Sequence, residues 1–241
     1  MDALIGHTGF VGSNLRKQHE FDVFFNSRNI EEIKGGEFDL LVCAGVNAVK
    51  WYANLHPEED KAAIQILMDC LSTVKAKHFI LISTIDVYSS FIPSPDESSI
   101  PDETRQDAYG KNRYRLECWV KKHFPSSLIV RLPALFANGL KKNFIFDLMH
   151  PLPSMISAGK WMELVSSLKD EEVKRLEAVY EEEGDHNHII NRESPATEQK
   201  VALDILKRSN FTAWHLTDSR SVFPFLDICL LYTSPSPRDR G

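Results

Sequence analysis

Three glycines stand at regular spacing close to the beginning of this 241-residue chain. They are Gly6, Gly9 and Gly12 in the string LIGHTGFVGSNL, directly after the apolar run Ala3–Ile5. The spacing predicts a buried strand that turns sharply into a helix. The first glycine would take a positive φ, the second would leave the backbone open, and the third would let helix and strand pack closely. Because a helix N-terminus attracts anions, the turn predicts a phosphate site, with an ordinary glycine turn as the alternative.

Composition excludes several classes of function. The net charge is −6 and the pI is about 5.9, which argues against a nucleic-acid partner bound through its phosphates. No apolar run approaches the roughly 20 residues that span a bilayer, and no secretory signal opens the chain. The cysteines show no spacing typical of a metal site, so we expect free thiols in a reducing cytoplasm. They are Cys43, Cys70, Cys118 and Cys229.

Strand and helix patterns alternate over the first 135 residues. This alternation predicts an α/β fold, a doubly wound parallel sheet of the Rossmann type with helices on both faces. The predicted strands are Ala3–Ile5, Asp22–Phe25, Leu40–Ala44, His78–Ser83 and Leu128–Leu132. The predicted helices are Val11–Gln18, Pro57–Lys75 and Tyr109–His123.

The pattern changes after Pro133 and predicts a smaller, mostly helical C-terminal lobe. We expect a loop over 132–143, helices beginning near Phe144 and covering 161–183 and 197–209, and a short strand at Ala213–Leu216. The predicted domains are therefore a dinucleotide-binding domain, 1–135, and a partial substrate-binding lobe, 136–228. The last residues, 229–241, contain CLLYTSPSPRD, which resembles a translated sequencing adapter. We expect an artefact tail there that replaces natural sequence, with a disordered natural tail as the alternative.

Two further motifs follow in the first domain. The string ISTIDVY, residues 82–88, ends the fourth predicted strand, and Tyr109-Gly-Lys-Asn-Arg113 opens the next helix. With the glycine turn, the chain resembles the extended short-chain dehydrogenase/reductases, also called NAD-dependent epimerase/dehydratases. The string CAG at 43–45 and the string RLPALF at 131–136 resemble further family motifs. The resemblance covers residues 1 to about 140.

The resemblance implies a proton-transfer site of three residues. Tyr109 would transfer the proton, Thr84 would orient the substrate oxygen, and Arg113 would stand where the family has lysine. A tyrosine with an ordinary pKa near 10 needs a nearby cation to act at neutral pH, and residue 113 is one helical turn away. Lys111 points elsewhere on the helix. The alternatives are a strand-end hydroxyl for Thr84 and a surface aromatic for Tyr109.

Arg113 departs from the family pattern. Arginine is a cation, but it is bulkier than lysine and effectively never loses its proton. The sequence therefore predicts cofactor binding more firmly than turnover. The first hypothesis is an NAD(P)-dependent oxidoreductase, or epimerase/dehydratase, that acts on a hydroxyl or carbonyl group, for instance of a nucleotide sugar. The alternative is a catalytically inactive NADP-binding sensor or scaffold protein.

The cofactor preference depends on the end of the second strand. An acid there would favour NAD, whereas Asn26, Ser27 and Arg28 suit a 2′-phosphate, so we expect NADP with NAD as the alternative. Arg28 could also be a solvated turn residue. The full set of predicted cofactor-binding residues is Gly6, Thr8, Gly9, Phe10, Val11, Gly12, Asn26, Ser27, Arg28, Cys43, Ala44, Gly45 and Pro133.

Weaker candidates complete the interpretation. The residues that follow the third strand either line a substrate pocket or pack in the core: Lys50, Trp51, Tyr52 and Asn54. A second group follows the fifth strand and forms either a substrate-binding turn or a solvated basic turn: Asn138, Lys141, Lys142 and Asn143. The segment 185–188 is expected to be a solvated loop and no metal site is predicted. The expected partner is a small-molecule substrate, and the resemblance leaves a homodimer open.

Overall fold

The computed structural model describes residues 1–88, 99–137, 140, 146, 149–216 and 225–228. These residues form two compact units, one from Met1–Ala137 with the segment that begins at Pro224, the other from Asn138–Phe223. Among the helices of the described ranges, none is long and apolar enough to cross a membrane. The candidate tail, 229–241, lies outside the described residues.

The first unit is built on a five-stranded parallel sheet in the order β2-β1-β3-β4-β5. This confirms the predicted α/β fold class and all five predicted strands, with ends that differ by a few residues. In chain order the elements are β1 (Asp2–Ile5), α1 (Phe10–Leu15), β2 (Val23–Phe25), β3 (Glu37–Cys43), α2 (Lys50–Leu55), α3 (Pro57–Leu71), β4 (Lys75–Thr84), α4 (Ala108–His123), β5 (Ser127–Leu132), β6 (Ala134–Phe136) and β10 (Phe225–Asp227).

Alternating side chains of the strands separate two apolar layers. One layer joins strand residues such as Ile5, Leu41 and Phe79 to α3 and α4. The other joins Leu4 and Val42 to α1. Each strand therefore presents one residue in two to each face, which is why the buried strands are almost continuously apolar.

Several segments of this unit differ from the predictions. The helix predicted to Gln18 ends at Leu15, and α2 was not predicted. The helix predicted to Lys75 ends at Leu71, where the Ser72 hydroxyl donates to the Asp69 carbonyl at 2.7 Å and the chain turns into β4. The segment predicted as a loop contains β6, which pairs in parallel with β10. The backbone pairing was not visible in the sequence because both strands have three residues.

The second unit contains an antiparallel sheet that the sequence analysis did not predict. Its elements are β7 (Met155–Ile156), α5 (Ala158–Val165), α6 (Asp170–Glu177), β8 (Tyr180–Glu183), β9 (Asn187–Ile190), α7 (Ala196–Arg208) and α8 (Ala213–Leu216). The strands pair in the order β7-β9-β8. Its core includes Trp161, Leu176 and Tyr180, whose hydroxyl donates to the Pro153 carbonyl at 3.0 Å.

The helix predicted over 161–183 is wrong, since α5, α6 and β8 divide that range. Ser166 and Ser167 end α5 by donating to backbone carbonyls, and Glu172 accepts from the Lys169 N–H at the start of α6. Gly184, with φ +61°, then turns β8 into β9. The strand predicted at Ala213–Leu216 is also wrong: it is α8, with the Leu216 N–H donating to the Thr212 carbonyl.

Candidate functional site

The candidate site residues of the first unit follow the carboxyl ends of its parallel strands. The chain leaves β1 toward β2 on one side, whereas β3 lies on the other side of β1. Such a switch in strand order opens a crevice at the carboxyl edge of a sheet. The glycine turn follows β1 and Ala44–Gly45 follow β3, so both lie at this crevice.

The glycine turn has the geometry that its spacing predicted. Gly6 has φ +83°, and a Cβ on it would lie 2.3 Å from the Ala44 carbonyl oxygen. A Cβ on Gly12 would lie 2.2 Å from the Gly6 carbonyl oxygen, so this glycine lets α1 pack on the turn. A Cβ on Gly9, by contrast, would meet only that same oxygen, at 3.4 Å. The described neighbours therefore require glycine at positions 6 and 12 but not at position 9.

The end of β2 is connected to the glycine turn. Asn26 Nδ2 donates to His7 Nε2 at 3.1 Å, a contact that sequence reasoning missed. Asn26 Oδ1 also accepts from the Arg28 N–H at 2.8 Å and so shapes the turn. Ser27 and Arg28 are exposed, and no described residue pairs with the guanidinium of Arg28. Arg28 thus follows, two residues later, the asparagine that contacts the glycine turn, and its side chain is exposed.

The remaining predicted cofactor residues divide into core and edge positions. Cys43 is fully buried against α3 and α4, and burial raises the pKa of its thiol to about 11, so its side chain belongs to the core. Gly45, Thr8 and Gly9 are exposed at the edge. The others are partly buried: Phe10, Val11, Ala44 and Pro133.

Thr84 ends β4 and is engaged with Asp86. Its hydroxyl donates to Asp86 Oδ2 at 3.0 Å and accepts from the Asp86 N–H at 3.1 Å. This local pairing matches the strand-end alternative. A substrate oxygen bound at Thr84 would have to compete with Asp86 for the hydroxyl proton.

Tyr109 is buried at the beginning of α4, only 7% exposed, and is not a surface aromatic. Asp107 Oδ1 accepts from the Gly110 N–H at 2.8 Å, and Asn54 Oδ1 accepts from the Tyr109 N–H at 2.9 Å. A Cβ on Gly110 would lie 2.2 Å from the Asp86 carbonyl oxygen. This glycine lets α4 approach the turn after β4, where Asp86 contacts the Thr84 hydroxyl.

Burial raises the pKa of Tyr109 above its usual value near 10. The charges of Arg113 and Lys50 lower it and that of Asp86 raises it, but burial is the largest effect. Arg113 therefore acts in the predicted direction without making the phenol acidic. At neutral pH Tyr109 is protonated.

Arg113 is a buried structural cation, 3% exposed. Its Nη1 and Nη2 donate to the two carboxylate oxygens of Asp60 at 2.5 and 2.8 Å, and Nη2 also donates to the Asn47 carbonyl at 2.5 Å. Its guanidinium carbon lies 3.7 Å from the centroid of the Tyr109 ring. The sequence analysis did not identify Asp60 as the partner of Arg113, because Asp60 is one of three acidic residues in the first turn of α3.

A second buried ion pair joins β4, β5 and α4. Glu117 is fully buried, with Arg131 Nη2 at 2.6 Å from Oε2 and the Ser83 hydroxyl donating to Oε1 at 2.6 Å. Arg131 Nη1 also donates to the Tyr88 hydroxyl. This network fixes the strand ends around Thr84. No group of metal-ligating side chains occurs within the described ranges.

The structure shares its fold with solved nucleotide-sugar enzymes. A dTDP-4-dehydrorhamnose reductase from Bacillus anthracis strain Ames, solved with NADP, is 18% identical over 62% of this chain and 59% of its own, with a TM-score of 0.51. MoeE5, solved with UDP-glucuronic acid and NAD, is 16% identical over 70% of this chain and 73% of its own, with a TM-score of 0.52. The predicted likeness to extended short-chain dehydrogenase/reductases is confirmed in the fold.

A dTDP-4-dehydrorhamnose reductase from Clostridium acetobutylicum is 19% identical over 66% of this chain and 63% of its own, with a TM-score of 0.49. The chain thus spans less than two thirds of the length of either reductase. No protein-family model and no curated protein sequence matches it.

Proposed function

We propose that the first unit binds NADP and uses it to oxidise or reduce a hydroxyl or carbonyl group. The observation that carries the proposal is the placement of a glycine turn with one unexplained glycine, Gly9, on the same sheet edge as Thr84 and the buried Tyr109. The glycine turn suits a dinucleotide, and the pair Thr84 and Tyr109 suits proton transfer to a substrate oxygen.

The residues present fit this cofactor. The exposed backbone at Gly9 leaves room for a pyrophosphate, and the unpaired Arg28 would neutralise a 2′-phosphate, which favours NADP over NAD. The bound nicotinamide would supply or accept a hydride. All other chemistry assigned to the site belongs to the side chains of this chain.

Tyr109 is the proposed proton donor. Because its pKa is raised, it carries its proton at neutral pH and can give it to the oxygen of a reduced carbonyl. Thr84 would orient the same oxygen after its hydroxyl turns away from Asp86. Arg113 holds the ring of Tyr109 through stacking and through the Asp60 pair, and is a positioning residue in this scheme.

Nucleotide sugars are the first substrates to test. The solved proteins of the same fold include one bound to UDP-glucuronic acid and one named for a dTDP-sugar. A polyhydroxylated ring also suits the polar groups beside Tyr109, namely Asp86, Asp107 and Asn54.

An NADP-binding protein without turnover is the second candidate function. The engagement of Thr84 with Asp86 favours it, because a substrate oxygen has to compete with Asp86 for the hydroxyl proton. The experiment adds NADPH and measures both thermal stability and NADPH oxidation over UDP- and dTDP-sugars. Stabilisation with turnover that Tyr109→Phe abolishes supports the enzyme. Stabilisation without turnover supports the sensor, and no stabilisation contradicts both.

A further inference from the structure

A lysine outside the family motifs contacts the candidate site. Lys50 begins α2, the short helix after β3, and its Nζ lies 2.6 Å from Asp86 Oδ1 and 3.3 Å from Asp107 Oδ2. Asp86 follows β4 and Asp107 caps α4, so one ammonium group joins the two elements that carry Thr84 and Tyr109. Asn54, one turn further along α2, reinforces this by pairing with Asp107 and with the Tyr109 N–H.

Lys50 and Thr84 both donate hydrogen bonds to the carboxylate of Asp86. One carboxylate oxygen of Asp86 accepts from Lys50, and the other accepts from the Thr84 hydroxyl at 3.0 Å. A carboxylate that shares its charge with an ammonium is a weaker acceptor for a second donor than an unpaired carboxylate. Lys50 therefore makes the Thr84 hydroxyl easier to release toward a substrate oxygen.

Arg113 is poorly placed to weaken the hydrogen bond between Asp86 and Thr84. Its two terminal nitrogens are committed to Asp60, to the Asn47 carbonyl and to the Tyr109 carbonyl. Lys50 has a side chain that is about half exposed, 48%, and so retains freedom to follow a ligand.

We propose that Lys50 is the positioning cation of the candidate site: its ammonium offsets the charges of Asp86 and Asp107 beside Tyr109 and loosens the hold of Asp86 on Thr84. The charged groups that act on Tyr109 are Arg113, Asp86 and Lys50. Removing Lys50 leaves Arg113 as the remaining cation and leaves Asp86 and Asp107 without their shared ammonium, so the phenol becomes harder to ionise. The pKa of Lys50 itself is lowered by partial burial but raised more by the two aspartates, so it stays charged at neutral pH.

The proposal deepens the proposed function and rests on Tyr109 being the proton donor there, yet its electrostatic part needs neither cofactor nor substrate. The titration of Tyr109 is followed by NMR of ¹³C-tyrosine-labelled full chain, with the resonance assigned by Tyr109→Phe. Lys50→Met removes the charge and Lys50→Arg keeps it. The matched control is Lys77→Met, since Lys77 also pairs with an aspartate, Asp39, but at the opposite end of the sheet.

We expect Lys50→Met to move the Tyr109 titration to higher pH, Lys50→Arg to restore it, and Lys77→Met to leave it unchanged. If NADPH-dependent reduction is observed, Lys50→Met should lower kcat about tenfold, less than the roughly hundredfold loss for Tyr109→Phe, and leave NADPH affinity unchanged. An unmoved Tyr109 titration in Lys50→Met overturns the proposal even where turnover is found. A moved titration without turnover on any substrate retains the role of Lys50 and contradicts the enzymatic function alone.

Discussion

The guanidinium carbon of Arg113 lies 3.7 Å from the centroid of the Tyr109 ring, and both residues are buried. A cation over an aromatic face is attracted by the ring, which here fixes the tyrosine side chain. Because Asp60 neutralises the guanidinium, Arg113 supports the position of Tyr109 more than its acidity. Residue 113 thus contacts the Tyr109 ring while its guanidinium is bound by Asp60.

The Arg113–Asp60 pair is expected to be essential for folding. Arg113→Ala leaves the buried carboxylate of Asp60 without its cation, and we expect a loss of about 3–5 kcal/mol in the free energy of unfolding. Urea denaturation measures it. The matched control is Arg115→Ala, on the exposed face of the same helix, where we expect a change within about 0.5 kcal/mol. Equal losses in the two variants would contradict the structural role of the pair.

Gly110 should be intolerant of a single methyl group. In Gly110→Ala the Cβ would meet the Asp86 carbonyl oxygen, so α4 must shift away from β4, at about 1–3 kcal/mol in stability. Turnover should fall further than stability alone explains. Gly159→Ala is the control, because nothing lies within 4 Å of its Cβ position in the first turn of α5. It should be neutral or stabilising, as measured by thermal unfolding.

The raised pKa of Tyr109 predicts opposite pH dependences for the two reaction directions. Reduction needs the protonated phenol and should be active at neutral pH, whereas oxidation needs the phenolate and should still be rising above about pH 10. Initial rates in both directions measure this. Oxidation that is fastest at neutral pH would exclude Tyr109 as the base.

The same shift affects stability at alkaline pH. A folded-state pKa above the unfolded value gives a contribution that is complete below about pH 10 and is lost as the pH rises through the folded value. The wild type should therefore lose stability above about pH 10 more steeply than Tyr109→Phe, as seen by thermal unfolding at each pH. Parallel curves for the two proteins would contradict the buried, protonated tyrosine.

Arg28 should decide between the two dinucleotides. Arg28→Ala removes the free cation at the end of β2, and a lost charge-assisted bond of about 1.5–3 kcal/mol corresponds to roughly a ten- to hundredfold weaker binding of NADPH. Binding of NADH should hardly change, and stability should not change because the side chain is exposed. Isothermal titration with both dinucleotides checks this. If Arg28→Ala weakened the binding of NADH as much as that of NADPH, Arg28 would not bind a 2′-phosphate.

The sequence predicted the parallel sheet because its strands are apolar runs separated by amphipathic helices, and this pattern is local. It predicted the conformation of Gly6 for the same reason. The partners of Arg113 and Glu117 could not be predicted, because Asp60 and Arg131 lie 53 and 14 residues away. Such pairs depend on how α3, α4 and β5 meet in the folded chain.

In the second unit, local sequence patterns predicted the wrong secondary structure. The charged run over 161–183 has helical spacing, but Ser166–Ser167 and Gly184 break it into α5, α6 and the β8–β9 hairpin. The turn at Gly184 between YEEE and NHII was visible in the sequence and marks a hairpin. In Ala213–Leu216 tertiary context overrides a short apolar run, which is typical of segments of four residues.

The binding of NADPH to wild type and to Gly9→Ala tests the central claim most directly. Gly9 has φ −75°, and a Cβ there would make only an ordinary contact with the Gly6 carbonyl oxygen, so the alanine variant should still fold, with a small loss because Gly9 caps α1. We predict that the wild type binds NADPH and that Gly9→Ala binds it at least about tenfold more weakly, because the methyl group occupies the space for the pyrophosphate. A wild type that does not bind NADPH, or a variant that binds it equally well, would contradict the account.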